Sequence, residues 1–338
     1  MFCNPSIIQI SEKHPEQAFF NIKPFLKWPG GKRQLLPALT QAISSLPEDF
    51  YSLHYYEPFV GAGALLLHLR PRLATINDFN QQLIFTYEAI RDNVDELIAL
   101  LSVHAANNSS EYFYHIRNQD RDASVFSSME KTEKAARLIY LNRTCFNGLY
   151  RVNSGGFFNV PFGRNPRPKI CDVKLLKALN LYLSGQGSQA SQASQGSQDS
   201  QDSQDSQDSQ AGQAGQAGQD SKANQITITC GDFEQAVSTA QKASFIYFDP
   251  PYHSQNQSNF TDYQPGGFSD QDQIRLRDTF MSRTKAGARC LLSNADTVFI
   301  RDIYGNLGLK IIGLKAKRII NSDSSGRGFV DEVLIQNW

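Results

Sequence analysis

The chain has 338 residues, with 33 Lys and Arg against 33 Asp and Glu, so its formal net charge is zero at pH 7. That length allows a large core and one or two domains, while the balanced charge excludes any partner argued from whole-chain electrostatics. The five cysteines (Cys3, Cys145, Cys171, Cys230, Cys290) form no Cys-x-x-Cys or Cys/His cluster, which fits a reducing compartment and argues against a zinc site.

No apolar run reaches membrane-spanning length, and Met1 to Phe20 is too polar for a signal peptide, so a cytoplasmic location off the membrane is expected. Phe25-Leu26-Lys27-Trp28-Pro29-Gly30-Gly31-Lys32 is a glycine loop ahead of a helix starting near Arg33. Arg33 stands where a P-loop needs Ser or Thr to hold magnesium, which argues against an NTPase. Trp28 and Lys32 suit contact with a nucleoside ring and a carboxylate; a plain structural turn is the alternative. Leu53 to Glu57 reads as a strand and Ala64 to Arg70 as the start of a helix. Between them, Gly61 and Gly63 of Glu57-Pro58-Phe59-Val60-Gly61-Ala62-Gly63 let backbone approach a ligand closely. The third glycine position of a dinucleotide loop is Leu66, which argues against NAD.

Ala74 to Asn77 reads as the next strand. It ends at Asp78, where a carboxylate grips ribose hydroxyls or caps the following helix. Gln81 to Leu101 has helical spacing, with Leu83, Ile84, Tyr87, Ile90, Val94 and Leu97 on one side. Tyr112 to Leu149 also reads as helical. It passes into a hairpin over Tyr150 to Val160, with Ser154-Gly155-Gly156 at the turn. From Ala136 to Lys169 the charged residues are Arg137, Arg143, Arg151, Arg164, Arg167 and Lys169, with no acid, which indicates an anion-facing surface.

Residues 185–220 repeat in triplets whose middle residue is always Gln, with no side chain apolar enough to offset the entropy of ordering. The segment 185–221 is expected to be a disordered loop on a folded domain. Ile226 to Cys230, Ser244 to Phe248, Arg289 to Leu292, Lys310 to Leu314 and Phe329 to Ile335 read as strands. This alternation predicts an α/β fold, a mostly parallel sheet with helices on both faces. Asp232-Phe233 follows one of these strands. It offers a carboxylate and a ring to an adenine, or a helix cap and a core contact.

Asp249-Pro250-Pro251-Tyr252 follows the strand Ser244 to Phe248, at the end where ligands gather in α/β sheets. Asp249 supplies an acceptor, the prolines stiffen the backbone, and Tyr252 offers a flat ring for stacking. The exocyclic amine of adenine is a poor nucleophile because its lone pair is delocalised. Two acceptors gripping its two N–H bonds free that lone pair. A Pro-Pro turn with a capping Asp fits the same four residues.

Taken together, these stretches resemble the Dam-type site-specific adenine-N6 DNA methyltransferases (D12 class, alpha group). The resemblance runs from Phe25 to the C-terminus except for the Gln-centred tract. Its other matching pieces are Ile76-Asn77-Asp78, Tyr140-Leu141-Asn142-Arg143, Phe146-Asn147-Gly148-Leu149-Tyr150-Arg151, Phe158-Asn159-Val160-Pro161-Phe162-Gly163 and Leu292-Ser293-Asn294-Ala295-Asp296. Pro29 departs from it, where the family usually has Ala.

The resemblance implies a Rossmann-like S-adenosyl-L-methionine-dependent sheet over 20–80 and 222–338. Inserted in it would be a helical and β-hairpin DNA-recognition domain, 81–184, with its hairpin at 147–163. The cofactor would be held by Trp28, Lys32, Phe59, Gly61, Gly63, Asp78, Asp232, Phe233 and Asp249. Asp249, Pro250 and Tyr252 would be catalytic, with Tyr252 stacked on an extruded adenine. Arg143, Asn147, Leu149, Arg151 and Pro161 would contact double-stranded DNA, with Arg151 reading guanine and Leu149 wedging into the stack. GATC is the implied target, a monomer the expected state, and a cognate restriction endonuclease a compatible partner. No metal is needed, since a sulfonium carries its own leaving group. The absence of any Pro-Cys pair argues against cytosine-C5 methylation. Competing readings are a methyltransferase on an RNA base or protein glutamine, a non-catalytic DNA-binding regulator, and a dinucleotide-dependent oxidoreductase. A basic hairpin between the cofactor and catalytic motifs favours duplex DNA, and an intact Asp249 favours catalysis.

Overall fold

The structure, a computed structural model, describes residues 22–28, 30, 32–185, 224–254, 267–317 and 329–338. Pro29, Gly31, the segment Met1 to Phe20 and all of the Gln-centred tract beyond Gly185 lie outside the described residues. Strands β1 (His54–Glu57), β2 (Leu73–Asp78), β3 (Gln225–Cys230), β4 (Ser244–Phe248), β5 (Arg289–Ala295), β6 (Lys310–Lys317) and β7 (Phe329–Gln336) form one sheet. Its order is β3-β2-β1-β4-β5-β7-β6. Only β7 runs antiparallel, to β5 and to β6; the other neighbours are parallel. All seven strands read from the sequence are present, with β5 and β6 running a few residues further.

Side chains on a strand alternate between the two faces of its sheet, and the two cores follow that rule. Tyr55, Phe245, Tyr247, Leu291 and Leu334 enter one cluster, while Tyr56, Ile246, Phe248, Leu292, Val333 and Ile335 enter the other. Strand β4, paired on both edges and covered on both faces, is buried throughout, which explains its unbroken apolar run.

Helices α1 (Leu36–Ser44) and α2 (Ala64–Leu69) cover the first face. Between β2 and β3 come α3 (Gln81–Asp92), α4 (Val94–Ala106), α5 (Ser110–Asn118), α6 (Ala123–Ser128), α7 (Lys131–Thr144) and α8 (Val173–Leu183). Apart from α6, these helices send side chains into the first core, which runs without a break from the sheet into the segment between β2 and β3. The second face is covered by α9 (Phe233–Ala236), α10 (Asp270–Lys285) and α11 (Val298–Gly305). Among the described residues no helix is long and apolar enough to cross a membrane.

Three readings of the sequence need correction. Gln81 to Leu101 is not one helix: it breaks at Asn93 (φ −134°, ψ 39°), whose side chain donates to Thr132 Oγ1 at 3.3 Å. Asp95 and Glu96 then supply the acidic first turn of α4. The apolar spacing continues through the break because both helices pack on α7. Tyr112 to Leu149 is likewise divided. Asp122 caps α6 through the Ser124 and Val125 N–H groups, and Glu130 and Glu133 form a capping box at the start of α7.

The third correction concerns the acid-free basic run. Arg137 is fully buried, donates to the Ile116 and Arg117 carbonyls, and pairs with Asp120 at 2.9 Å. Arg143 turns inward to donate to the Phe25 carbonyl at 2.6 Å. Long cationic side chains can serve the interior when carbonyls and a carboxylate receive them. Arg164, Arg167 and Lys169 are exposed, and Lys169 is paired with Asp172 at 2.5 Å.

Candidate active site

Strands β1 and β4 lie side by side at the centre of the sheet, and the strand order reverses between them, which makes the crevice beyond their carboxyl ends the place for a ligand. The carboxyl ends of β1 to β5 and the loops after them open there, with Gly61 and Gly63 after β1, Asp78 at the end of β2, Asp232 after β3, Asp249 after β4 and Asn294 near the end of β5.

The β1 loop is held by its neighbours. Asn77, buried at the end of β2, donates to the Pro58 and Gly231 carbonyls at 3.0 and 2.9 Å and so links three loops. The Gly61 N–H donates to Asp78 Oδ2 at 3.0 Å, and Asn80 N–H donates to Asp78 Oδ1 at 2.9 Å. Gly63 sits at φ +67°, and a Cβ there would lie 2.7 Å from the Tyr87 hydroxyl, which itself donates to the Gly61 carbonyl at 3.0 Å. Only glycine meets both demands. Burial pushes the Asp78 carboxyl up to about 6, against its backbone hydrogen bonds. The cap of α3 is Asn80, not Asp78: the Asn80 side chain accepts from Leu83 N–H at 3.1 Å.

Trp28 lies against this loop, its Cδ1 3.0 Å from where a Gly61 Cβ would sit, and its ring stacks on Tyr150 at 4.6 Å. Phe59 and Phe233 pack together with Phe268. Asp232 takes the cap role that the sequence left open, accepting from Glu234 N–H at 2.9 Å, while Arg275 donates to its other oxygen at 2.9 Å. Phe79, next to Asp78, is 54% exposed at this rim. Sequence reasoning passed over it, although an aromatic after a strand-ending acid was the available signal.

Asp249 is the centre of the crevice. Its Oδ1 takes Ser293 Oγ–H at 2.9 Å and an ion pair with Lys32 Nζ at 3.0 Å. The Lys32 ammonium also donates to the Gly30 carbonyl at 2.7 Å and lies 4.2 Å from the centre of the Tyr252 ring. Lys32, which the sequence suited to contact with a carboxylate, is paired with that of Asp249. Burial raises the Asp249 carboxyl above its ordinary range, and Lys32 and Ser293 pull against that. Among the described residues, nothing donates to Asp249 Oδ2 or to the Pro250 carbonyl.

The loop itself is pinned. Gln273 donates to the Pro251 carbonyl at 3.0 Å, Asn294 accepts from His253 N–H at 3.0 Å, and the Tyr252 hydroxyl donates to Glu332 at 3.0 Å. Glu57, at the end of β1, is buried and accepts from Tyr55 hydroxyl at 2.8 Å. Burial raises its carboxyl well above the ordinary range, the Tyr55 hydroxyl pulls against that, and nearby Asp249 adds to it. Ser293, Gln273, Glu57 and Glu332 had no assigned role in the sequence. All four lie in separate strands or helices, and only the fold brings them together.

The hairpin 147–163 flanks the crevice. It is built from single bridges, Val152 with Phe158 and Cys145 with Phe162, not from full strands. Arg151 Nε donates to Asn159 Oδ1 at 2.7 Å, while its terminal amino groups donate to nothing among the described residues. Asn147 (φ +55°) and Pro161 are exposed, and Leu149 packs partly against the core. The exposed apolar side chain on this turn is Phe146, at 52%.

The family model for D12 class N6 adenine-specific DNA methyltransferases matches this chain over residues 28–208 and 205–320. The chain belongs to that family. It is an adenine-specific DNA methyltransferase. The type II methyltransferase M1.LlaDCHI of Lactococcus lactis subsp. cremoris is 39% identical over 94% of this chain and 96% of its own length. The type II methyltransferase M.MjaIII of Methanocaldococcus jannaschii is 33% identical over 94% of this chain and 99% of its own. The DNA adenine methylase of Escherichia coli K12 is 28% identical, covering 92% and 93%. As a D12 methyltransferase, the chain keeps its glycine loop, Asp78 and Asp249 around one crevice, so the resemblance read from scattered stretches corresponds to one spatial site. Arg143 is the member of the proposed site set that the fold turns into the interior.

Proposed function

We propose that the enzyme moves a methyl group from S-adenosyl-L-methionine to N6 of an adenine extruded from a short duplex sequence, with GATC as the target. The observation that carries this reading is the Asp249 carboxylate at the switch point, held through Oδ1 by Ser293 and Lys32, with nothing among the described residues donating to its Oδ2 or to the carbonyl of the next residue, Pro250. An amine with two N–H bonds needs two acceptors, and a duplex hides that amine unless the base is flipped out.

The crevice fits the cofactor on its own chemistry. Each Asp78 oxygen uses one lone pair on a backbone N–H and keeps another for a ribose hydroxyl. Gly61 brings backbone close, and Trp28, Phe59, Phe79 and Phe233 supply apolar walls. When bound, S-adenosyl-L-methionine would supply a sulfonium methyl with a good leaving group. Asp249 and the Pro250 carbonyl would orient the amine and draw N6 toward a tetrahedral shape. Tyr252 would hold the ring, and proximity does much of the rest. As the bond from N6 to the methyl carbon forms, the carbon–sulfur bond would break to leave a neutral thioether, and one N6 proton would pass to solvent.

The test is to express the protein in cells lacking adenine methylation and map N6-methyladenine by single-molecule sequencing. Methylation confined to one short motif is expected; soluble protein with no methylation anywhere sinks the reading. The names of the Lactococcus and Methanocaldococcus relatives support a place in a type II restriction–modification pair; action on double-stranded DNA in the cytoplasm, as a monomer, is part of the same proposal.

Two further outcomes follow from the geometry. Arg151→Ala weakens discrimination at one base pair by about 1–3 kcal/mol, because the unengaged end of the guanidinium suits the paired acceptors of guanine. Methylation rates on duplexes substituted one position at a time read this out, and an unchanged preference removes Arg151 from the reading set. Cofactor affinity weakens as pH falls through about 6, where Asp78 takes up a proton. Calorimetric titration at several pH values checks this, and Asp78→Ala gives a flat, weaker profile over the same range.

A further inference from the structure

The hairpin does not stand apart from the cofactor wall. The buried side chain of Asn142, on α7, accepts from Lys27 N–H at 2.9 Å and donates to the Lys27 carbonyl at 2.8 Å. Its second N–H reaches the Gly148 carbonyl at 3.1 Å. One amide therefore ties the segment that carries Trp28 to the turn that opens the hairpin. The Lys27 side chain packs directly on Gly148 (φ +66°), where a Cβ would lie 2.4 Å from Lys27 Cδ.

The residues beyond this tie also touch. The Trp28 and Tyr150 rings stack at 4.6 Å with 23° between their planes. Burial raises the Tyr150 hydroxyl and the Asn80 side chain beside it pulls against that, while Asn80 N–H is held by Asp78. Tyr150 thus contacts two separate pieces of the cofactor wall, and the next residue is Arg151.

We infer that Tyr150 and Asn142 are positioning residues that couple cofactor binding to reading of the target sequence. The inference rests on the functional reading above. A ligand seated against Trp28 and Asp78 immobilises Trp28 and Asn80. That fixes both contacts of Tyr150 and removes freedom from Arg151 before DNA arrives. Duplex binding then carries less ordering cost when the cofactor site is filled. Linkage requires the reverse effect to be equal.

The experiment measures both directions. S-adenosylhomocysteine, which carries no methyl to transfer, is titrated into the full-length enzyme with and without a duplex carrying the motif found by methylation mapping. The duplex is then titrated with and without S-adenosylhomocysteine. In the wild type each partner tightens the other by about fivefold or more, with equal ratios. Asn142→Ala and Tyr150→Leu bring both ratios to about one. Tyr150→Phe, which keeps the ring stack, retains most of the effect.

A wild-type ratio of one overturns the inference. So does a Tyr150→Leu protein with wild-type circular dichroism and melting temperature that keeps the wild-type ratio. If Asn142→Ala fails to fold, the wild type and the two Tyr150 variants decide. Methylation mapping is read on the wild type alone, so failure of the functional reading shows there. Failure of the coupling shows only in these ratios.

Discussion

Asp249→Ala lowers the rate of methyl transfer by about 10³-fold, while mobility-shift assays show duplex binding close to wild type. The size of the loss follows from what Asp249 offers. Ser293 and Lys32 engage Oδ1 and fix the carboxylate, and among the described residues nothing donates to Oδ2, which is left for the target amine together with the carbonyl of the next residue, Pro250. Alanine leaves a single acceptor and a loose amine. Asp249→Asn is the sharper variant, because it keeps the shape and changes the chemistry. An amide presents one acceptor and one donor. If its oxygen stays with Ser293 and Lys32, its NH2 points at the incoming amine and repels it. If it flips, the NH2 faces the Lys32 ammonium. Either orientation costs activity, so Asn falls nearly as far as Ala. Single-turnover rates at saturating cofactor isolate the chemical step from binding. A variant retaining a tenth of the wild-type rate removes Asp249 from catalysis.

The central strand was legible in the sequence because it is buried on both faces: every residue from Ser244 to Phe248 is buried, and Asp249 follows directly. Helix boundaries between β2 and β3 were harder to see. Asn93 and Asp122 interrupt stretches whose apolar spacing continues, because the separate helices share α7 or its neighbours as a common partner. Charge was the least legible property. Arg137 and Arg143 read as surface cations until the carbonyls of Ile116, Arg117 and Phe25 and the carboxylate of Asp120 appear around them. Those partners lie far away along the chain, and no local pattern signals them. The same holds for the support of Asp249: Ser293 sits in a strand next door, and Tyr252 is anchored by Glu332 from the last strand of the sheet.

Lys32→Met moves the acid limb of the pH–rate profile to higher pH. Asp249 must be ionised to accept from the amine. Burial already raises its carboxyl above the ordinary range, and the Lys32 ammonium at 3.0 Å is the largest opposing influence. Removing that cation raises the carboxyl further, so a larger fraction is protonated and inactive at any given acidic pH. The rate at pH 6 falls by about tenfold or more, and the deficit shrinks as the pH rises. Stability responds with the opposite sign. A carboxyl whose folded value lies above its unfolded one binds more protons in the native state, so stability falls as pH climbs between the two values. The melting temperature of Lys32→Met therefore lies closest to wild type at low pH and drops further below it as the pH increases. A simple folding defect would depress rate and stability together, and lost cofactor contact would be masked by saturation. Rates that recover toward high pH while the melting temperature declines identify Lys32 as the group that keeps Asp249 charged. A Lys32→Met profile with an unmoved acid limb at saturating cofactor assigns the lysine to cofactor contact instead.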